Sequence, residues 1–374
     1  MKNGERNIAL VHDHLIQDGG AERVLRVLAS MYPDAPIFTL LHDEKRFPDF
    51  KDRTIRTSFL QKIPGSRRHY KWLLPLMTVA TEHYPLQSFD IVLSNTSAFS
   101  KGVVVHPGTH HVCYCHTPTR YLWTDMHDYV RELNAPGFVK RLLPPYLSSL
   151  RQWDQLAASR VDTFIANSHT VRERIAKFYR KDAHVIYPPV DVEQFSISEK
   201  PKTYFLAGGR LVPYKRFDLV VEAANRLRVP VKIFGDGPSL DELRERAKDN
   251  ITFLGRVTDN EKADLYANCI AYINPQEEDF GITAVEAMAS GRPVICYGKG
   301  GTIESVEHGI TGIHLPEQTW EALADAMIRF NDFTFDPVAI KQKAQLFSRE
   351  RFEHEIRSLV NRVSQHAQRE HALV

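Results

Sequence analysis

Cysteine is scarce in this chain: four residues in 374, at Cys113, Cys115, Cys269 and Cys296. All four lie in apolar, strand-like runs, and Cys113 and Cys115 alternate with Tyr114, so the two thiols share one strand face. That spacing is not the paired CxxC type of a zinc hook, and so few thiols suit a reduced, cytoplasmic protein. Long hydrophobic runs are missing too. The first one, Ile8–Val11, stops at His12 and Asp13, too short for a secretory leader, and no later run reaches the length of a bilayer span. A net charge is nearly absent, with 48 Lys+Arg against 46 Asp+Glu. The balance is uneven along the chain: residues 1–180 hold about 24 cations against about 17 carboxylates, and the remainder about 24 against about 29. A basic first half favours an anionic surface or substrate. The basic residues are dispersed and match no nucleic-acid-binding module, so no nucleic-acid partner is expected.

What is present is alternation. A chain of 374 residues exceeds one comfortable core, so two domains are expected. Short apolar runs of strand length fall at Asn7–His12, Ile37–Leu40, Asp90–Ser94, Gly102–Val105, Val112–Cys115 and Asp162–Ala166. Between and after them come helical patterns, from Ala21, over Tyr146–Arg160, and over His169–Tyr179 behind a Ser168 cap. The Tyr187-Pro-Pro segment interrupts this order, and residues 187–202 read as a linker. The alternation then restarts with strands at Tyr204–Ala207, Val231–Phe234, Ile251–Leu254, Ile270–Asn274 and Pro293–Cys296. Helices are expected over Phe217–Arg228, Leu240–Lys248, Asn260–Ala267 and Thr283–Ser290, with closing helices over Glu317–Asn331 and Phe347–Gln368. This is an α/β chain of two doubly wound parallel sheets, over residues 1–186 and 203–346, facing each other across a cleft. Residues 347–374 are expected to form a helix packing back toward the first domain. Ligands of such sheets bind at the carboxyl ends of the strands, here the turns after Gly208, Gly235 and Asn274.

Two constellations sit at those ends. Gly208-Gly209-Arg210-Leu-Val-Pro-Tyr-Lys215 follows a strand and opens a helix, which suits a diphosphate: two fixed cations and backbone amides. Alone, a Lys–Arg pair after a turn is more often a solvated surface feature. Glu277-Glu278-Asp279-Phe280-Gly281-Ile282-Thr283-Ala284-Val285-Glu286 then puts one carboxylate in a strand-end loop and a second about two turns into the next helix. An acidic first helix turn is the plainer explanation, but Ala284, Val285, Ala287, Met288 and Ala289 surround Glu286 with small and apolar residues, unusual for a solvated glutamate.

The run from Glu278 to Glu286, continuing to Ile295, closely resembles the E-x7-E signature of the retaining glycosyltransferases of GT-B architecture, glycosyltransferase family four. The Gly208–Lys215 turn, Phe234-Gly-Asp-Gly237, Phe253-Leu-Gly-Arg256, Gly300-Gly301-Thr-Ile-Glu304 and Gly309-Ile-Thr-Gly312 match in the same order. The resemblance implies a nucleotide-sugar donor. Arg210 and Lys215 would bind its diphosphate, with Gly209 in the same turn. Glu278 would contact the sugar, helped by the amides of Phe280, Gly281, Ile282 and Thr283. Glu286 would bind the ribose, and Gly235 and Arg256 would line the base pocket. In the first domain, Gln17-Asp-Gly19-Gly20-Ala-Glu22 resembles the family's N-terminal loop, with a glycine amide meeting the distal phosphate. Glu22 reads equally well as a helix-dipole residue. His116, in Cys115-His-Thr-Pro-Thr-Arg120, matches a family histidine that stabilises positive charge at the reacting carbon, and Arg120 would help with an anionic acceptor. The catalytic set implied is Glu278, His116, Arg210 and Lys215.

No cofactor and no metal are expected: Asp125-Met-His127 and Asp241-Glu242 do not form a DxD turn, and Arg210 with Lys215 can do the same electrostatic task. The HDHLIQDGGAERVL opening and the CHTPTRYLW segment resemble bacterial mannosyltransferases of O-antigen or exopolysaccharide assembly. This implies GDP-mannose as donor and a polyprenyl-diphosphate-linked or oligosaccharide acceptor at the cytoplasmic face of the inner membrane. Arg67–Leu76 and Phe138–Tyr146 mix basic, aromatic and apolar residues and read either as peripheral membrane contacts or as ordinary surface helices. Rival readings are a UDP-sugar donor, a sugar-nucleotide epimerase, and a scaffold that binds sugar nucleotides without catalysis.

Overall fold

In the computed structural model, residues 6–126, 137–199 and 203–371 are described, apart from the side chains of 138, 139, 142 and 366–371. His127 of the acidic turn considered above and residues 200–202 of the linker lie outside the described residues. The chain divides into two compact units, Met1–Tyr187 with Glu353–Val374, and Pro188–Phe352.

Among the described residues, unit 1 is built on seven strands: β1 (Ile8–His12), β2 (Ile37–Thr39), β3 (Ile55–Thr57), β4 (Ile91–Thr96), β5 (His110–Cys115), β6 (Thr163–Ala166) and β7 (Ala183–Val185). Their order is β3-β2-β1-β4-β5-β6-β7, and every neighbouring pair is parallel. Ala9, Leu10 and Val11 have no exposed surface at all, the condition of a strand covered by helices on both faces. The helix Gly20–Met31 turns Val24, Leu25, Val27 and Leu28 inward. The Cys113 and Cys115 thiols both face the core under Tyr179, as their alternation required.

Unit 2 repeats the plan with β8 (Phe205–Gly208), β9 (Val231–Phe234), β10 (Ile251–Gly255), β11 (Tyr272–Asn274), β12 (Val294–Tyr297) and β13 (Gly312–Leu315), ordered β10-β9-β8-β11-β12-β13 and parallel throughout. Both sheets therefore reverse direction beside their first strand, between β1 and β4 and between β8 and β11. Ligands of doubly wound folds bind at such switch points. The helices Phe217–Leu227 and Trp320–Ile328 cover one face of the second sheet.

One expected strand is absent. Gly102–Val105 is not paired; Ser100–Gly102 forms a single 3-10 turn instead. The reason is side-chain packing: a Cβ on Gly102 would stand 2.4 Å from the Trp153 ring, and the Lys101 ammonium is drawn into a buried pair with Asp154 at 2.6 Å. Three strands escaped the sequence reading. β3 and β7 are edge strands with exposed or half-buried residues, and β13 begins at a glycine, so none shows the apolar run that marks its neighbours. The helix expected from Tyr146 runs from Gly137 to Ser159 with Pro144 and Pro145 inside it, and the one expected over Glu317–Asn331 is trimmed to Trp320–Ile328.

Candidate active site

In unit 2 the ends of β8, β9 and β10 are packed so closely that side chains are excluded. Gly235 has φ +115°, and a Cβ there would lie 1.8 Å from the Gly209 carbonyl oxygen; a Cβ on Gly237 would lie 2.2 Å from that of Leu211. The Gly209 amide donates to Phe234 O at 3.1 Å and the Gly235 amide to Gly255 O at 2.6 Å, so three strand ends are tied into one bare backbone floor. A non-glycine residue could not adopt this approach without displacing its neighbour.

Over this floor Lys215 and Glu278, read separately from the sequence, meet as a pair. Lys215 Nζ lies 2.8 Å from Glu278 Oε1, the two side chains 14% and 16% exposed. Burial works against the Lys215 charge, but the Glu278 carboxylate outweighs it and raises the ammonium above its ordinary value, so it is a permanent cation at neutral pH. Gln276 Nε2 donates to the same Glu278 oxygen at 2.7 Å, and Gln276 is itself tied to Asn274 at the end of β11. Tyr272 donates to Gly208 O at 2.8 Å, bridging β11 to the glycine turn. The Glu278 loop is held from the other side by the Gly301 amide, which donates to Glu278 O at 2.7 Å. Gly300 (φ +82°) has no room for a Cβ, which would come 2.6 Å from that same oxygen.

Gly281, at φ +95°, precedes the helix Ile282–Ala289, whose first amides have no acceptor within the helix itself. Phe280 is buried against Phe347. Glu286, from the same helix, is only 2% exposed; its Oε1 accepts from Lys262 Nζ at 2.9 Å and its Oε2 from the Tyr266 hydroxyl at 3.2 Å. The acidic-helix-turn explanation for this glutamate therefore fails: it is a buried, charge-balanced group. Arg210 is exposed beside the glycine turn, and Arg256, also exposed, lies 3.2 Å from Asp236.

Unit 1 carries its own polar cluster at its switch point. His12 and Asn95 are register partners at the ends of β1 and β4. His12 Nδ1 meets Asn95 O at 3.0 Å and its Nε2 meets Glu22 Oε1 at 3.2 Å. Burial opposes charge on both groups, but each raises the other's ionised form, so His12 titrates above its ordinary range and Glu22 below. Glu22 is thus more than a helix-dipole residue, being the buried counter-ion of His12. Asn95 Nδ2 donates to Ala21 O at 2.8 Å, which leaves Oδ1 to face His116 Nε2 at 2.7 Å. That orientation makes His116 Nε2 the donor and Nδ1 the acceptor. Burial pushes the His116 pKa down to about 4, with the His12 charge acting in the same direction, so the ring is neutral at pH 7.

Gly19 precedes the helix that bears Glu22, and Gly20 is its first residue. Arg120 lies 3.5 Å from Asp125. Asp13, which the sequence reading passed over, gathers the amides of Ser97, Ala98, Phe99 and Ser100 at 2.7–2.8 Å and so fixes the loop after β4. Asp154 accepts from Thr119, Trp123 and Tyr179, each at 2.8 Å, and anchors the segment that carries Arg120. A polar residue just beyond an apolar strand was the available signal for Asp13; Lys101, Asp154, Lys262 and Gln276 had none.

Two family models together account for residues 18–345: "Glycosyltransferase Family 4" matches 18–194 and "Glycosyl transferases group 1" matches 190–345. The chain belongs to the family-four glycosyltransferases of GT-B architecture. This glycosyltransferase is 30% identical over 206 residues to the O-antigen chain mannosyltransferase RfbU of Salmonella typhimurium, a match covering 48% of this chain and 56% of that protein. It is 24% identical to the alpha-1,3/1,6-mannosyltransferase ALG2 of Dictyostelium discoideum across 90% of this chain and 92% of the other. For RfbU and for a D-inositol 3-phosphate glycosyltransferase of Mycobacteroides abscessus, the match spans about half the length of the relative. Among solved structures, Anabaena HepE in complex with UDP-glucose superposes with a TM-score of 0.69 at 19% identity, over 96% of this glycosyltransferase and all of HepE. That likeness carries the fold.

Proposed function

We propose that this glycosyltransferase is a retaining α-mannosyltransferase that moves mannose from GDP-mannose onto a lipid-linked or polysaccharide acceptor in bacterial surface glycan synthesis, working at the cytoplasmic face of the membrane. The single observation that carries the reading is the Lys215–Glu278 pair at 2.8 Å over a backbone floor, beside a helix N-terminus. Such a site offers a diphosphate a cation and amide donors, and a sugar a carboxylate. The mannosyl assignment rests on the names of relatives such as RfbU and ALG2.

In the proposed reaction the bond between the sugar C1 and the diphosphate oxygen breaks as the acceptor oxygen bonds to C1 on the same face. The acceptor proton passes to the departing phosphate, so no separate base is needed. Lys215 and Arg210 offset the charge that grows on the leaving diphosphate. Glu278 holds the sugar hydroxyls, the amides of Phe280–Thr283 hold sugar and phosphate, and Glu286 holds the ribose. Gly235 and Arg256 sit by the base. His116, neutral and oriented by Asn95, is a hydrogen-bonding group for the sugar rather than a proton donor. The chemistry calls for no metal or cofactor, since fixed cations do the work on the phosphates.

The test is a thermal-shift screen of the purified chain against GDP, GDP-mannose, UDP and UDP-glucose, followed by transfer assays on the stabilising donor. Stabilisation by GDP and GDP-mannose alone supports the reading. A response to UDP species alone would overturn the mannose assignment while keeping the enzyme class.

A further inference from the structure

Between Asp52 and Glu82 the chain contains no carboxylate, yet it carries Arg53, Arg56, Lys62, Arg67, Arg68 and Lys71. Two of these cations are used inside unit 1. Arg53 caps the carbonyls of Ala29 and Tyr32 at the end of the first helix, and Arg56 lies over the Phe38 ring. The other four are exposed, and Arg67 forms a salt bridge with Asp43 at 3.6 Å.

The same stretch displays apolar side chains where a globular surface would hide them. The turn Tyr70–Leu73 runs into the helix Leu74–Glu82. Met77 and Ala80 of that helix are buried in the core of unit 1, while Trp72 is 67% exposed, Val79 44% and Leu76 42%. Leu76 and Val79, three apart, share the outer face of the helix, and Trp72 stands in the turn that leads into it. Phe59, 43% exposed, belongs to the Phe59–Lys62 turn that packs against this helix.

We infer that this face of unit 1 is a docking surface for an anionic lipid bilayer: Trp72, Leu76 and Val79 enter the headgroup boundary while Lys62, Arg67, Arg68 and Lys71 meet acidic headgroups. A tryptophan at the rim of an apolar stripe is what the bilayer interface takes up, its ring amphipathic and its indole N–H left in the polar zone. Four exposed cations, of which Arg67 is ion-paired with Asp43 at 3.6 Å, match a negative leaflet, and a neutral one would offer their charges nothing. A second protein copy would bring the same positive face and repel it. The surface gives the membrane-proximal reading above a physical location, but vesicle binding requires no donor, so either can fail alone.

The experiment is co-sedimentation of the full chain with vesicles of phosphatidylcholine containing 30% phosphatidylglycerol, and with phosphatidylcholine alone. Binding is expected to the anionic vesicles only, and to fade as salt shortens the screening length. Replacing Lys62, Arg68 and Lys71 together with Gln should weaken it about a hundredfold, each charge being worth roughly fivefold. Trp72→Ser should weaken it about tenfold with an unchanged melting temperature, because the side chain is exposed. Equal binding to both vesicle types, binding to neither, or anionic binding indifferent to these substitutions would overturn the assignment. So would Trp72-dependent self-association in place of vesicle binding, which would give the face to a second copy.

Discussion

The buried pair of Lys262 and Glu286 allows a sharp test of how unit 2 is held together. Lys262 is 7% and Glu286 2% exposed, with their charged atoms 2.9 Å apart. Lys262→Met keeps the length of the side chain and removes the charge, leaving Glu286 in the protein with the Tyr266 hydroxyl at 3.2 Å as a partner too weak to balance it. Breaking a buried pair from one side costs about 3–5 kcal/mol. For a unit of this size that corresponds to a drop in melting temperature of roughly 10 °C. The reverse change, Glu286→Gln, should cost less, on the order of 1–2 kcal/mol: Lys262 keeps Asp259 at 3.1 Å, and that carboxylate is exposed. Combining Lys262→Met with Glu286→Gln should recover part of the first loss. Urea unfolding followed by circular dichroism and tryptophan fluorescence measures all three. If Lys262→Met fell within about 1 kcal/mol of the parent, the pair would be solvated in solution and the reasoning would be refuted.

Lys215→Met and Glu278→Gln should each reduce transfer by about a hundredfold or more with the fold retained at some cost in stability; unchanged turnover in either would remove that pair from the site. Gly235→Ala should be destabilising beyond the 1–2 kcal/mol or so of a left-handed backbone, since its Cβ would also meet Gly209 O at 1.8 Å; a melting curve like the parent's would show that the strand ends can part. Acid should weaken the fold before any carboxylate titrates. His111 is fully buried, its Nε2 2.8 Å from Ser94 Oγ, and burial pushes its pKa down to about 3. The folded state therefore refuses a proton that the unfolded chain accepts near pH 6.5. Stability is full above that value and drains as pH falls toward 3, by about 2 kcal/mol at pH 5. His111→Asn should lessen that slope in urea titrations at pH 7 and pH 5, the buried His116 near 4 supplying part of what remains, and an unchanged slope would place the acid sensitivity elsewhere.

The fold was legible because its central strands are buried on both faces. The apolar runs Ile8–Val11, Val112–Cys115, Phe205–Ala207 and Val294–Tyr297 mark β1, β5, β8 and β12, and helix starts are marked by caps such as Ser168. β3 and β7 lie at a sheet edge, where one side chain in two meets water and the run dissolves. Gly102–Val105 misled for the opposite reason. It has the composition of a strand, but Lys101 is committed to Asp154, a partner 53 residues away that composition cannot reveal. The site divides in the same way. Lys215 and Glu278 each stand in a local motif, so their meeting could be expected. Lys262 is an ordinary lysine in a capped helix until Glu286, 24 residues on, folds against it. Glu22, too, reveals its role only when β1 brings His12 beside it.

The glycine floor beneath the Lys215–Glu278 pair sets where this protein can be changed. Gly208, Gly235 and Gly237 admit no added atom, so that surface offers nothing to a protein engineer or to drift: its shape is written in main-chain geometry, which substitution cannot edit. With the donor placed as proposed, retuning toward a different nucleotide would come from the rim, where Asp236 and Arg256 are exposed and face each other at 3.2 Å. A library built to alter donor preference should vary those two positions and leave the floor untouched.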